Sequence, residues 1–211
     1  ASGRSSQGGS YLGPCFDSDQ IAAHLSEQGY PFTRVGSKEL PDQVAELIDE
    51  GKVVGWFSGR MEFGPRALGA RSILGDARSP EMQRQMNLKI KYRESFRPFA
   101  PSVLRERVAD YFDLDVDSPY MLLVAAVRED RQIAMSAEED ALFGIDKLKV
   151  PRSEIPAVTH VDYSARVQTV RRADNPRYYD LIQAFDRLTG CPLVVNTSFN
   201  VRGEPIVNTP T

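Results

Sequence analysis

Short apolar runs, each bounded by glycine or proline, constrain the fold of this 211-residue chain more than any other feature of its sequence. None of them reaches the roughly 18 residues that a membrane-spanning helix needs, so we expect no membrane span. Runs of this length between turn residues are typical of buried strands. The predicted strands are residues 52–58, 72–75, 99–104, 119–127 and 191–195.

Amphipathic segments separate these runs and predict helices. Their apolar residues recur at helical spacing, and capping residues precede them while glycine follows three of them. Because helices and strands alternate, the chain belongs to the α/β or α+β class. The predicted helices are residues 18–28, 41–50, 79–91 and 176–189, with a shorter one over 105–112.

Four further segments carry specific structural predictions. Residues 119–127 form the most apolar run, which favours a central strand. Pro101 places the strand over 99–104 at a sheet edge or a bulge. Residues 155–162 and 166–170 predict a hairpin that turns at 163–165. The acidic stretch within 129–150 predicts a mobile or inserted loop rather than a site.

The overall composition is ordinary for a cytoplasmic protein, which is the location we expect. The net charge is −3, and Cys15 and Cys191 are too few for a disulfide framework. Residues 1–10 are rich in glycine and serine and predict a linker or an artificial tail. The chain stops at Thr211 just after an apparent strand, which predicts that a further helix is missing.

Positive charge is concentrated in one window of this mildly acidic chain. Residues 60–107 contain 11 of the 26 Lys and Arg residues but 5 of the 29 Asp and Glu residues. A local cluster suits a small anion better than a nucleic-acid backbone, which favours a broad basic face, so we expect no nucleic-acid partner. A solvated surface explains such a cluster equally well.

The basic turn over residues 91–102 is the best candidate for an anion clamp. A helix that begins at Ser79 should end near Lys91, because Pro98 cannot continue it. Lys91, Arg93 and Arg97 would then project from a stiff segment. The alternative is that lysines in a last helical turn only complement the helix dipole.

Two other segments offer ligand contacts. Residues 59–72 contain three glycines and three arginines, among them Arg66 and Arg71. They lack the P-loop and dinucleotide-binding patterns. A tight surface crossover explains them as well. Residues 196–205 place small polar side chains after a predicted strand, where open α/β sheets bind ligands. His160 reads more readily as a structural histidine, and we expect no metal site in this chain.

Five motifs, taken together and in order, resemble the carboxy-terminal domain of the O-carbamoyltransferases. The resemblance runs from about Tyr11 to the end. It implies a twisted open mixed sheet flanked by helices, the α/β fold called YrdC/Sua5-like. The motifs are residues 62–69, 91–102, 160–162, 165–168 and 196–200.

The resemblance implies a reaction with carbamoyl phosphate and ATP, with Mg²⁺ as the accompanying cation. This domain would be the adenylating half, which forms carbamoyladenylate. A separate amino-terminal Kae1-like domain, with its own metal, would pass the carbamoyl group to an acceptor hydroxyl. The alternative is a non-catalytic domain that binds nucleotide or docks that partner.

The resemblance also implies roles for individual residues. Lys91 and Arg97 match a phosphate-side pair, and Arg166 matches an arginine of the carbamoyl and phosphate pocket. Arg66 and Arg71 would face either the ligand or the other domain. We expect Lys91, Arg97 and Arg166 to share one cavity. The implied nucleotide-phosphate contacts are Ser198, Asn200 and Arg202.

Overall fold

The computed structural model describes residues 7–148 and 150–210, and within them six strands form one mixed, open sheet. The strand order is β1-β2-β6-β3-β5-β4. Only β3 and β5 run parallel, and the other neighbours are antiparallel. The expected α/β class is confirmed. The strands are β1 (Val54–Phe57), β2 (Arg71–Gly75), β3 (Ala100–Leu104), β4 (Leu123–Ala126), β5 (Ser164–Val170) and β6 (Leu193–Ser198).

Four of the predicted helices form α-helices whose ends follow the capping residues in the sequence, whereas the shorter one predicted over 105–112 is a 3-10 helix at Arg105–Asp110. Asp17 accepts amide hydrogen bonds at the start of α1, and Ser79 does so for α3. Gly190 ends α6 in the left-handed conformation that glycine adopts without strain. The helices are α1 (Ser18–Glu27), α2 (Leu40–Asp49), α3 (Pro80–Met86), α4 (Ala137–Asp140), α5 (Ile145–Leu148) and α6 (Pro176–Thr189).

The core lies between the central strands and the helices. Helix α2 packs along α6, and α6 lies against β3 and β6. Strands β2 and β3 are buried along their whole length. A π-helical turn over Asn87–Lys91 extends α3, so Lys91 lies at the end of the helix as predicted. No helix in the described part of the chain combines the length and apolar character needed to cross a membrane.

The predicted central strand is instead an edge strand. Strand β4 is the last in the order and pairs only with β5. Leu122 and Val124 are 67% and 64% exposed. An apolar run does not by itself show whether a strand is central or at the edge of a sheet, because exposed apolar residues also occur at interaction surfaces. The prediction for residues 119–127 was therefore wrong.

The predicted edge strand is instead an interior one. Strand β3 lies between β6 and β5 although it contains Pro101. The Leu104 amide donates to the Pro192 carbonyl on the β6 side, so alternation turns the Pro101 nitrogen toward β5. The ladder between β3 and β5 begins only at Ser102. The missing donor of Pro101 therefore costs no sheet hydrogen bond.

The predicted hairpin does not form. Residues 155–162 contain a 3-10 turn at Pro156–Val158, and β5 begins at Ser164 between β3 and β4. The loop predicted over 129–150 includes α4 and α5. Within the predicted linker, Gly8–Ser10 is a 3-10 turn whose Ser10 carbonyl accepts from Phe63. Residues 1–6 and Thr211 lie outside the described residues.

Candidate functional site

A cavity of about 430 Å³ opens where β6 ends and where β3 and β5 begin. We call it the arginine cavity, because three arginines and no carboxylate line it. Drug-sized ligands occupy pockets of comparable volume. Its lining residues are Pro65, Arg66, Ala67, Arg93, Pro98, Phe99, Ala100, Met121, Val124, His160, Ser164, Arg166, Asn196, Thr197 and Ser198.

Two of these arginines are free to bind a ligand. Within the described residues, neither the Arg66 nor the Arg166 side chain makes a hydrogen bond or an ion pair, and the Nε atom of each is buried without a partner. Burial lowers the pKa of Arg166, and the charge of Arg66 lowers it further. Two guanidinium groups that repel each other in a poorly solvated cavity are arranged to receive an anion.

Arg93 is the third arginine of this cavity, and its side chain is held in place. Its Nε donates to the Asn87 Oδ1 at 2.6 Å, and its guanidinium lies 4.8 Å from the centre of the Phe99 ring. Burial and the charge of Arg97 lower its pKa. Arg93 also lines a second cavity, so it connects the two.

The second cavity, of about 500 Å³, lies beside the π-helical turn, and we call it the Lys91 cavity. Here the cations already have partners. The Arg97 Nε lies 2.9 Å from a Glu94 carboxylate oxygen, and the Arg202 Nη1 donates to the Tyr92 carbonyl at 2.9 Å. The lining residues are Leu88, Lys91, Tyr92, Arg93, Glu94, Arg97 and Arg202.

Lys91 itself is directed at the end of β6. Its Nζ donates to the carbonyl oxygens of Ser198 and Asn200 at 2.5 and 2.9 Å, and it contacts Asn200 Oδ1 at 2.8 Å and Ser198 Oγ at 3.3 Å. Burial lowers the pKa of Lys91 to about 8, and the charge of Arg93 adds to the effect. The ammonium group therefore joins two loops.

The predicted cations do not all share a cavity. Lys91 and Arg97 line the Lys91 cavity, whereas Arg166 lines the arginine cavity. Lys91 is instead engaged by the Ser198 and Asn200 carbonyl oxygens at the end of β6, although Ser198 also lines the arginine cavity. The two cavities are nevertheless adjacent, because Arg93 belongs to both.

Arg71, which was predicted to bind nucleotide, has a structural position. It is fully buried and lines neither cavity. Its guanidinium donates to backbone carbonyls, among them those of Ala70 at 2.9 Å and Gly59 at 3.2 Å, and stacks 3.6 Å from the centre of the Phe57 ring. These contacts hold the start of β2 against the loop that follows β1.

Buried polar side chains hold the segment that carries Arg66. The Glu62 Oε1 accepts the amide of Leu68 at 2.5 Å. From the sheet, Asn196 Nδ2 donates to the Ala67 carbonyl at 3.0 Å, and Gln168 Nε2 donates to the Leu68 carbonyl at 2.9 Å. Sequence reasoning did not identify this network, because a polar residue gives no local signal that it will be buried.

The residues of the arginine cavity fit a phosphate-bearing ligand. The unpartnered guanidinium groups supply donors in the planar arrangement that phosphate accepts. Among the described residues, no group of three or more His, Cys, Asp or Glu could hold a metal ion.

Residues 45–211 match the family model described as Carbamoyltransferase C-terminus. The chain belongs to this family. An uncharacterized protein of Synechocystis sp. is 59% identical to this chain, over 96% of the chain and 33% of that protein.

Two nodulation proteins are also similar to the carbamoyltransferase C-terminal domain. Nodulation protein NolO of Bradyrhizobium diazoefficiens is 42% identical over 81% of this chain and 28% of that protein. Nodulation protein U of Sinorhizobium fredii is 40% identical over 77% of this chain and 25% of that protein. The chain thus spans about a third or less of the length of these curated relatives.

Proposed function

We propose that this domain binds carbamoyl phosphate and ATP at the arginine cavity and forms carbamoyladenylate. A separate amino-terminal Kae1-like domain would then transfer the carbamoyl group to an acceptor hydroxyl. The observation that carries the proposal is a cavity without carboxylates in which Arg66 and Arg166 have no protein partner. Membership of the carbamoyltransferase family directs the choice of anion.

The chemistry needs positioned cations more than it needs a protein nucleophile. Hydrolysis of carbamoyl phosphate would release phosphate and carbamate. A carbamate oxygen would attack the α-phosphorus of ATP, and the bond from that phosphorus to the bridging oxygen of the β-phosphate would break, releasing pyrophosphate. Charge gathers on the equatorial oxygens in such a displacement. Arg66, Arg93 and Arg166 would stabilise it and hold the reactants in line.

The neighbouring Lys91 cavity suits the pyrophosphate portion of ATP. Arg93 belongs to both cavities, so a triphosphate could extend from one into the other. Arg97 and Arg202 would contact its outer phosphates from the rim. Ser198, which lines the arginine cavity, and Asn200 would orient the Lys91 ammonium group, which they already bind.

The test is exchange of labelled pyrophosphate into ATP, measured on this chain with and without carbamoyl phosphate. We expect exchange that depends on carbamoyl phosphate and falls about 100-fold or more in Arg166→Ala. The matched control is Arg34→Ala, because Arg34 is an exposed arginine that pairs with Asp19 and lines neither cavity. Its exchange rate should equal that of the wild type.

Other outcomes identify the alternatives. ATP binding by calorimetry without exchange would indicate a non-catalytic nucleotide-binding domain. If ATP neither binds nor raises the melting temperature, while the amino-terminal domain of a relative does raise it, the chain is a docking domain. The exposed apolar residues Leu122, Leu123 and Val124, at the start of β4 and just before it, are the surface that favours this second candidate.

A further inference from the structure

Asn196 is the one residue of the arginine cavity that pairs almost complete burial with an unused hydrogen-bond acceptor, among the residues that the structure describes. It lies in β6, lines the cavity, and is 1% exposed. Its Oδ1 is buried and has no partner. A buried acceptor without a donor costs about 1–3 kcal/mol, so a folded protein rarely keeps one without a function.

The surrounding contacts fix the orientation of the Asn196 amide. Its Nδ2, which carries two hydrogens, lies within hydrogen-bonding distance of three acceptors: the Ala67 carbonyl at 3.0 Å, Gln168 Oε1 at 2.9 Å and Ser102 Oγ at 3.0 Å. Gln168 is itself fixed, because its Nε2 donates to the Leu68 carbonyl at 2.9 Å. Flipping the Asn196 amide would set its oxygen against the Ala67 carbonyl oxygen. The unpartnered atom is therefore an acceptor.

Asn196 Oδ1 accepts hydrogen bonds, whereas the charged groups that line the cavity donate them. Arg66, Arg93 and Arg166 are donors and bind oxygen atoms of a ligand. Asn196 Oδ1 needs an N–H or O–H from the ligand. In carbamoyl phosphate the oxygens of the phosphate and the carbonyl accept hydrogen bonds, whereas the carbamoyl amino group donates them. Acetyl phosphate has a methyl group in the same place and cannot donate.

We propose that Asn196 is a specificity-determining residue, whose Oδ1 accepts a hydrogen bond from the amino group of the carbamoyl ligand. The inference rests on the proposed function, since it assumes that a carbamoyl compound occupies the arginine cavity. It goes further, because it assigns the choice between a carbamoyl and an acyl phosphate to one atom. A site that must pair a buried polar group rejects the analogue that cannot pair it.

The experiment compares binding of carbamoyl phosphate, acetyl phosphate and inorganic phosphate by calorimetry. The wild type should bind carbamoyl phosphate about tenfold more tightly than acetyl phosphate. In Asn196→Leu, which keeps the side-chain size, the two affinities should become equal. Affinity for inorganic phosphate shows whether loss of the Nδ2 contact with Ala67 has displaced Arg66, and it should stay within about threefold of the wild type.

A matched control separates the acceptor from the network that holds it. Ser102→Ala removes one partner of Asn196 Nδ2 and leaves Oδ1 unchanged. This variant should keep the preference for carbamoyl phosphate even if it melts at a lower temperature. If Asn196→Leu, folded by circular dichroism, keeps the full preference, the assignment of Asn196 is overturned.

Two further arms keep the result unambiguous. If wild-type protein binds neither carbamoyl phosphate nor acetyl phosphate, the proposed function fails and the inference fails with it. If it binds both with equal affinity, the inference alone fails. The exocyclic amino group of adenine is another N–H donor. If Asn196→Leu removes a preference for ATP over inosine triphosphate but not the carbamoyl preference, the acceptor serves adenine and the proposal is overturned.

Discussion

The arginine cavity and the Lys91 cavity are both rich in cations, but their cations are in different states. Arg66 and Arg166 have no partner among the described residues. Lys91, by contrast, makes four contacts with oxygen atoms, and Arg97 pairs with a carboxylate. Both regions looked equally basic in the sequence. A free guanidinium group indicates a ligand site, whereas an engaged one indicates that charge is used to join parts of the fold.

The difference has an energetic basis. Burying unpaired like charges destabilises the folded protein, and a bound anion would recover that free energy as affinity. Lys91 donates to the Asn200 carbonyl and adds a second donor to the Ser198 carbonyl, which also accepts from the Asn200 amide, so it contributes to stability without a ligand. We therefore expect changes in the arginine cavity to affect binding and changes at Lys91 to affect stability.

The largest effect should come from the double variant Arg66→Ala/Arg166→Ala. Removing both free guanidinium groups should weaken binding of inorganic phosphate about 100-fold, measured by calorimetry. The melting temperature should not fall, because the two side chains have no protein partner to lose. Arg128→Ala is a control at an exposed Arg–Asp pair. If the double variant binds phosphate with wild-type affinity, the free arginines do not bind the anion and the proposed difference between the two cavities is wrong.

The next effect should be a loss of stability in Lys91→Met. The variant removes the Lys91 donor from the Asn200 carbonyl and one of two donors from the Ser198 carbonyl, so the free energy of unfolding should fall by about 2 kcal/mol in urea denaturation. The control is Lys89→Met, because Lys89 is exposed and belongs to the same turn. Equal stabilities for the two variants would contradict a joining role for Lys91.

The contribution of Lys91 to stability should also depend on pH. The folded-state pKa of Lys91 is about 8, against 10.5 for the ordinary side chain. Between these values the unfolded chain binds more protons than the folded one, so the contribution of Lys91 to stability rises with pH. The difference in unfolding free energy between wild type and Lys91→Met should therefore grow from pH 7 to pH 9.5. A difference that shrinks over this range would show that the ammonium group is not desolvated.

The smallest effect should come from Arg97→Ala. Arg97 is exposed and its ion pair with Glu94 is at the surface, so the free energy of unfolding should change by less than about 0.5 kcal/mol. Binding of pyrophosphate should weaken by about threefold at low salt, and the difference should vanish at high salt because exposed charges are screened. A larger loss that persists at high salt would place Arg97 in direct, desolvated contact with the ligand.

Local features of the sequence predicted the elements well and their neighbours badly. Ser79 and Gly190 set helix ends by their own chemistry, and both act as expected. The hairpin over 155–162 and 166–170 was wrong, because strand β5 finds its partners in β3 and β4 instead. Pairing depends on residues far apart in sequence, which no local pattern reports.

The candidate site shows the same division. The motifs identified Arg66, Arg166 and Ser198, and all three line the arginine cavity. They gave no sign that Arg71 would be buried against backbone carbonyls, or that the Asn196 acceptor would be left unpartnered. Whether a polar group is free or engaged depends on every atom that surrounds it.

By itself, the sequence determined the α/β class, the positions of most helices and strands, and the basic and polar segments from which a site could be built. These follow from spacing, capping and turn chemistry, which act over a few residues. The tertiary structure alone decided the strand order, the division of the cations between two cavities, and the orientation of the Asn196 amide. These depend on which distant groups meet, since only then do burial and pairing set the free energy of each charge and each hydrogen bond.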